Sequence, residues 1–349
     1  MNQMNLITDI KGLKIGITGC SGVLGTRLIQ ILSLHDADIT CLIRESSKID
    51  HIRDLKPGFV YGDITDKNSL ADFVRNIDIC IHLAAFVGHG SVEDFRRVNV
   101  QGTRNLCEAI ISDNPDCRLI NCSSIAALRI KGKIKLEFTH YAKSKKMADN
   151  VVEEMIQEKG LKAVTIYPGL IYGPYDIKFI PTLIKNLENN KIFFLTGGEK
   201  DSPLIYIDDL CDLFLKVIVN KETVGRKYIG VGPGELGIHD VFKAIAKKLS
   251  LPEPTKRYPK FPYLVAAVIM ESVYSFFRIK RPPTITRRIV DILSINFEVK
   301  RYKNDNKAVG WEPRVNFEQG LNSFIKWYSE YNKDFASKFS LKEESYEYA

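Results

Sequence analysis

The sequence predicts a doubly wound parallel α/β sheet followed by a smaller, mostly helical C-terminal lobe. Three observations carry that prediction: short Val- and Ile-rich runs alternate with helix-length segments, a glycine-rich turn closes the first run, and the alternation loosens beyond about Gly173. The runs, in order, are LKIGITG, DITCLIR, GFVYGDI, DICIHLAA, CRLINCSS and KAVTIYPG. Each is apolar on both faces, as a strand covered by helices on both sides must be. Past Gly173 the sequence predicts helices near 178–189 and 207–220, a strand in RKYIGVG and several later helices. The expected division is a first domain over 1–175, a second lobe over 176–335 with chain returning to the first domain near 201–220, and a frayed tail over 336–349.

Composition narrows the function classes. With 349 residues, 45% hydrophobic and 26% charged, the chain has the make-up of a soluble protein able to bury a full core. A net charge of +8 is spread along the chain rather than gathered into an aromatic-interleaved stripe, which argues against nucleic acid as a partner. The seven cysteines show no C-x-x-C pairing and several sit inside apolar runs, so reduced thiols and a cytoplasmic location are expected. The N-terminal residues lack the basic start, apolar run and cleavage site of an export signal. One segment, 261–279, is apolar nearly all round apart from a stripe of Glu271, Ser275 and Arg278, and basic residues flank it. It reads as a helix covering a pocket, with peripheral membrane contact as the alternative.

The first chemical motif is TGCSGVLG, Thr18 to Gly25, placed directly after a strand and opening a helix. Glycines at 19, 22 and 25 allow a tight turn, close approach of a pyrophosphate and tight packing of helix on strand. At the end of the second run, where an acidic residue would hold a ribose 2′-hydroxyl, stands Arg44, followed by Ser46, Ser47 and Lys48. A guanidinium there suits a 2′-phosphate, so NADP(H) is favoured and NAD(H) left open. Asp63, after the third run, is placed to meet the adenine amino group. The remaining chemistry is carried by Ser124, after the fifth run, with Tyr141 and Lys145, four apart on one helix face that continues inward through Ala148, Val152 and Met155. A phenol is a poor acid or base at neutral pH unless nearby positive charge lowers its pKa, and the i, i+4 spacing brings an ammonium near it.

With those residues in view, the chain resembles an extended short-chain dehydrogenase/reductase of the NAD-dependent epimerase/dehydratase superfamily, with a Rossmann-type sheet. The matching stretches are TGCSGVLG, GDI, HLAA, NVQGTRN, SSIAAL, YAKSK, YPGLIYGP and YIDDL, with KAVGWEPRVNFEQGLNSFIKWY near the C-terminus. The resemblance implies that Tyr141 is the acid/base, that Lys145 binds the nicotinamide ribose, that Ser124 holds the reacting oxygen and that Asn99 supports the site. It implies dinucleotide contacts from Gly19, Ser21, Gly22, Val23, Leu24, Gly25, Arg44, Asp63, Ile64, Leu83, Ala84 and Ala85, and from Pro168, Gly169, Leu170 and Ile171 beside the nicotinamide. Val87, His89, Ser124 and Tyr172 are the expected substrate contacts.

Departures matter too. Sugar-nucleotide members usually carry an arginine four residues before the tyrosine of the YIDD-like motif; here it is Ser202, with Lys200 nearby. The interval from Ser124 to Tyr141 is also short for a sugar lid, and KRPPTITRRIVDIL resembles the 3β-hydroxysteroid dehydrogenase and dihydroflavonol-reductase-like branch. The histidines, including His82 and His140, match no metal-ligand spacing, so no metal is expected. The expected activity is hydride transfer between NAD(P)(H) and a secondary alcohol or ketone on a largely apolar substrate, with a homodimer left open. The alternatives are a nucleotide-sugar epimerase or dehydratase, an oxidative decarboxylase of a 3-hydroxy carboxylate, and a non-enzymatic NADP(H)-sensing protein.

Overall fold

A computed structural model describes residues 10–88, 90–129, 139–196, 198–199, 201–234, 236–277, 279, 283–294 and 306–339. The six apolar runs form β1 (Lys14–Thr18), β2 (Asp38–Ile43), β3 (Gly58–Tyr61), β4 (Ile79–His82), β5 (Arg118–Cys122) and β6 (Ala163–Pro168). Between them lie α1 (Val23–Leu34), α2 (Gly102–Asp113) and α3 (His140–Lys159). α4 (Phe179–Glu188) and α5 (Ile207–Val219) follow, and then β7 (Lys227–Gly230).

Among the described residues these strands make one seven-stranded parallel sheet in the order β3-β2-β1-β4-β5-β6-β7. β7, from RKYIGVG, sits beside β6 with Lys227 opposite Thr165, so this strand belongs to the first sheet and not to the second lobe. The reason is packing: α5 covers the sheet with Leu210, Leu213, Phe214 and Val217 in the same core as Ile17, Leu28 and Ile166, which leads the chain back to the sheet edge.

The strand order reverses between β1 and β4, where Thr18 lies opposite both Leu42 and His82. That switch point, beyond the carboxyl ends of the strands, is the crevice where doubly wound sheets take ligands. The YIDD carboxylates lock the fold rather than enter that crevice. Asp208 pairs bidentately with Arg27 of α1 at 2.6 and 3.0 Å, and Asp209 accepts the amides of Arg314 and Val315 at 3.1 and 2.9 Å.

The second lobe contains α6 (Ile238–Lys248), α7 (Lys260–Phe276), α8 (Arg287–Leu293) and α9 (Phe317–Tyr331), packed around Phe194, Phe242, Leu321 and Phe324. No helix of the described residues is long and apolar enough to cross a membrane.

Candidate active site

The floor of the crevice is bare backbone. Gly19 has φ +72°, and a Cβ there would stand 2.6 Å from the Ala84 nitrogen, so glycine is required twice over. A Cβ on Gly25 would meet the Gly19 carbonyl oxygen at 2.6 Å, which is the close approach that lays α1 against β1. Gly22 caps α1 without a side-chain bond, and no acidic residue stands in the first turn. The first helical amides and the positive end of the helix therefore face the crevice, a donor set that fits a pyrophosphate. Ser21 is exposed at the turn and Val23 half-buried, whereas the Leu24 side chain turns into the core. After β4 the Leu83 amide donates to the Thr18 carbonyl at 3.1 Å and the Ala84 amide to the Thr18 hydroxyl at 3.2 Å, which holds residues 83–85 against the glycine turn.

Opposite this cradle, at the end of β5, stand Ser124, Tyr141 and Lys145. Ser124 caps a short helix, Ile125–Leu128, accepting from the Ala126 amide at 3.2 Å, and its hydroxyl stands beside the Tyr141 phenol. Thr139 caps α3 through the Ala142 amide at 3.1 Å, which fixes where the tyrosine's helix begins. One turn on, the buried Lys145 donates from Nζ to the Cys122 carbonyl at 2.7 Å, at the same strand end.

The electrostatics follow from burial. The lowering expected from Lys145 is overridden: burial pushes the Tyr141 phenol up to about 12, with the Ser124 hydroxyl and the Arg288 charge, not the lysine, acting the other way. Burial lowers the Lys145 ammonium, opposed by Cys122 and by Asp149 one further turn along α3. Asp149 is itself pushed up to about 6 by burial, against the Ser123 hydroxyl and the lysine charge.

Asn99 lies in a π-helical segment, Arg96–Gln101, a local widening that often accompanies functional sites. Its Oδ1 accepts from the Phe86 amide at 2.6 Å, while Nδ2 donates to the Phe86 carbonyl at 3.0 Å and to the Ser144 hydroxyl at 2.8 Å. Ser144 in turn donates to the Tyr141 carbonyl at 2.8 Å. One amide thus ties the loop after β4 to the tyrosine's own helix turn. Beneath it the buried His82 bridges Thr18 at 2.8 Å and Thr103 at 3.1 Å, and Thr103 spends its proton on the Asn99 carbonyl. His82 Nε2 must then donate to Thr103 and Nδ1 accept from Thr18. The neutral ring is held by burial, which lowers its pKa to about 3.

A family model described as the NAD dependent epimerase/dehydratase family matches residues 15–231. The chain belongs to this epimerase/dehydratase family. Among its relatives is a 4-hydroxy-2-methyl-3-oxo-4-farnesyl-3,4-dihydroquinoline-1-oxide ketoreductase of Stigmatella aurantiaca, 22% identical over 88% of this chain and 94% of that protein. Another is the decarboxylating sterol-4-alpha-carboxylate 3-dehydrogenase of Candida albicans, 24% identical over 90% of this chain and 97% of the relative. A dTDP-glucose 4,6-dehydratase from Streptomyces venezuelae, solved with NAD bound, superposes with a TM-score of 0.69 at 20% identity, covering 91% of this chain and 97% of that one.

The other positions expected of an epimerase/dehydratase member fall in several places. Arg44 is exposed at the end of β2, its amide donating to the Ser47 hydroxyl at 3.0 Å, and Glu45 beside it is exposed as well. The Asp63 carboxylate accepts from the Thr65 amide and hydroxyl at 2.8 and 2.9 Å, shaping its own loop. Ile64 buries its side chain in the core with Leu70 and Phe73, and its carbonyl accepts from Asn105 Nδ2 at 2.9 Å. Pro168 ends β6, the Gly169 and Leu170 amides bond to the Gly230 and Pro203 carbonyls at 2.8 and 2.7 Å, and Ile171 is half-buried in the short strand Leu170–Tyr172.

Tyr172 is buried against Tyr206 and Phe317 and lines a cavity of about 340 Å³ in the second lobe, together with Ser202. Val87 is exposed, with its carbonyl accepting from Arg288 at 2.6 Å. His89 and Lys200 lie outside the described residues.

Two residues absent from the sequence reading stand beside these positions. Asp149 continues the Tyr141–Lys145 face at the next i+4 step, a signal that was present in the helix wheel. Arg288, carried by α8, reaches the Val87 loop from 201 residues away, and only the fold brings it there.

Proposed function

We propose that this epimerase/dehydratase member transfers hydride between NADP(H) and a secondary alcohol or ketone on a largely apolar substrate. The observation that carries the reading is the gathering of Ser124, Tyr141 and the buried Lys145 at the end of β5, with Lys145 held to the Cys122 carbonyl at 2.7 Å, across from the bare glycine cradle. The bound dinucleotide supplies the hydride. The chain's own residues supply position and a proton: the Ser124 hydroxyl holds the substrate oxygen, and the Tyr141 phenol, protonated at neutral pH, donates to that oxygen as charge develops on it. Lys145 keeps a positive charge at the strand end, and Asn99 fixes the loop and helix that frame the reacting atoms.

Arg44, exposed beside the crevice, supports a 2′-phosphate and thus NADP(H) over NAD(H). Ser202 supports an apolar substrate over a nucleotide sugar: its hydroxyl and its amide both go to the Leu236 carbonyl, at 2.7 and 2.8 Å, leaving no donor for a diphosphate. The similarity to a farnesyl-bearing quinoline ketoreductase and to a sterol dehydrogenase points the same way. The test is NADPH oxidation across a panel of decalones, steroid ketones and long-chain 3-oxoacyl compounds. The expected result is turnover that falls about 10²–10⁴-fold in Tyr141→Phe. Turnover that survives this change overturns the mechanism.

A second reading, a substrate bearing a carboxylate next to the reacting carbon, is favoured by one observation. Arg288 lends its charge to the Tyr141 phenol from the second lobe, where it could also meet an anion. Under that reading Arg288→Ala raises KM for 3-oxo acids and leaves that for the matching uncharged ketones unchanged; equal effects on both discard it.

A further inference from the structure

The surface of α7 carries a feature that hydride transfer does not use. Its inner face is anchored: Ala267 is fully buried, Tyr263 packs on Phe193 with ring centroids 4.8 Å apart, and Glu271 pairs with Arg287 of α8 at 2.6 Å. The outer face is apolar and uncovered. Phe261 is 74% exposed, Ile269 57% and Phe276 81%, with Val265 and Val273 exposed between them and Phe277 just beyond the helix. At about 100° per residue, Phe261, Ser272, Val265, Phe276, Ile269, Pro262 and Val273 follow one another around a continuous arc of about 120°. That arc holds no charged side chain, and its one hydroxyl, on Ser272, is turned back to the Val268 carbonyl at 2.8 Å. Water-facing helices normally reserve such an arc for charge.

We infer that α7 is an interfacial helix that seats the protein on a bilayer bearing anionic headgroups. Charge selects this occupant. Lys256 and Arg257 are exposed ahead of the helix and Lys260 opens it, while the single acidic residue between 256 and 279, Glu271, faces inward to Arg287. An uncharged stripe with basic residues at its end and aromatic rings at both ends suits the boundary between headgroups and acyl chains. A second copy of the chain across a two-fold axis would instead bring the same cations together. The helix is also tied to the site, since Arg287, held by Glu271, donates to His140 at 3.2 Å, next to Tyr141. A protein docked this way draws an apolar substrate from the lipid phase that dissolves it.

The experiment is flotation of the full chain with vesicles of equal phosphatidylcholine and phosphatidylglycerol, and with phosphatidylcholine alone. The expected result is flotation with the mixed vesicles, reduced at least tenfold in Ile269→Asp/Phe276→Asp and, for the anionic preference, in Lys256→Glu/Lys260→Glu. Both apolar positions are solvent-facing, so circular dichroism and the melting temperature stay at wild-type values and a loss of flotation is a loss of docking. Wild-type protein that remains in the dense fraction with both vesicles overturns the inference, as does an Ile269→Asp/Phe276→Asp variant that floats like wild type. So does wild-type protein that sizes as a dimer, fails to float and becomes monomeric in that variant, for the stripe is then covered by a second copy. Flotation needs no turnover, so this result is independent of the substrate reading.

Discussion

Asp149→Asn isolates the cost of the carboxylate buried behind Lys145. Burial raises the Asp149 pKa from 3.8 in the unfolded chain to about 6 in the folded protein. A group whose folded pKa lies above its unfolded value contributes stability that is fully present below pH 3.8 and is lost as pH rises through about 6. Between those limits the folded state binds the extra proton, so each unit of pH removes about 1.4 kcal/mol, and the shift amounts to about 3 kcal/mol by pH 7. Asparagine keeps the shape and cannot ionise. The variant's stability relative to wild type should therefore rise by about 3 kcal/mol between pH 4 and pH 7, not stay constant. With an unfolding entropy of about 2.1 cal/mol/K per residue, that is a relative gain in Tm of about 4 °C. Urea titrations and thermal melts of both proteins across this range measure it. Parallel pH profiles would refute the claim that a buried, protonatable carboxylate sits there. Because Asp149 opposes the lowering of the Lys145 pKa, the variant's alkaline limb of activity should also move to lower pH.

Other changes read other parts of the site. Gly19→Ala forces a Cβ to 2.6 Å from the Ala84 nitrogen at φ +72°, so dinucleotide affinity measured by fluorescence should fall at least tenfold; unchanged affinity would mean the turn is not the phosphate cradle. Asn99→Leu strands the Phe86 amide and carbonyl together, with an expected loss of about 2–4 kcal/mol in urea unfolding and a fall in kcat beyond what Asn99→Asp causes. Arg44→Ala should weaken NADPH binding about tenfold and leave NADH binding unchanged in calorimetry. Equal losses for both would remove Arg44 from 2′-phosphate recognition.

How much of this was legible in the chain depends on the range of the interaction. Apolar runs such as DICIHLAA could be read as strands because strands buried on both faces need side chains apolar on both faces, and the glycine spacing announced its turn because a Cβ at Gly19 or Gly25 would strike the backbone beside it. Tyr141 and Lys145 could be placed on one helix face because a helix makes neighbours of residues four apart. The same rule reached Asp149, whose role went unread because a carboxylate on a helix ordinarily faces water, and nothing local says this one is buried.

RKYIGVG was legible as a strand but not as a member of the first sheet, since strand pairing is decided by which edge remains open once α5 has crossed. Arg288 meets the Val87 loop across some two hundred residues, a contact set by the seating of the second lobe. The stripe on α7 was visible as apolar sequence, yet an apolar helix reads alike whether buried or bare. By itself, then, the sequence determined the first six strands, the glycine turn after β1 and the placing of Tyr141 and Lys145 on one helix face, because each rests on local backbone geometry. Only tertiary structure decided which carboxylate lies buried behind the lysine, which arginine faces the tyrosine and which side of α7 is left to the solvent, because burial is a property of the packed chain and not of any segment of it.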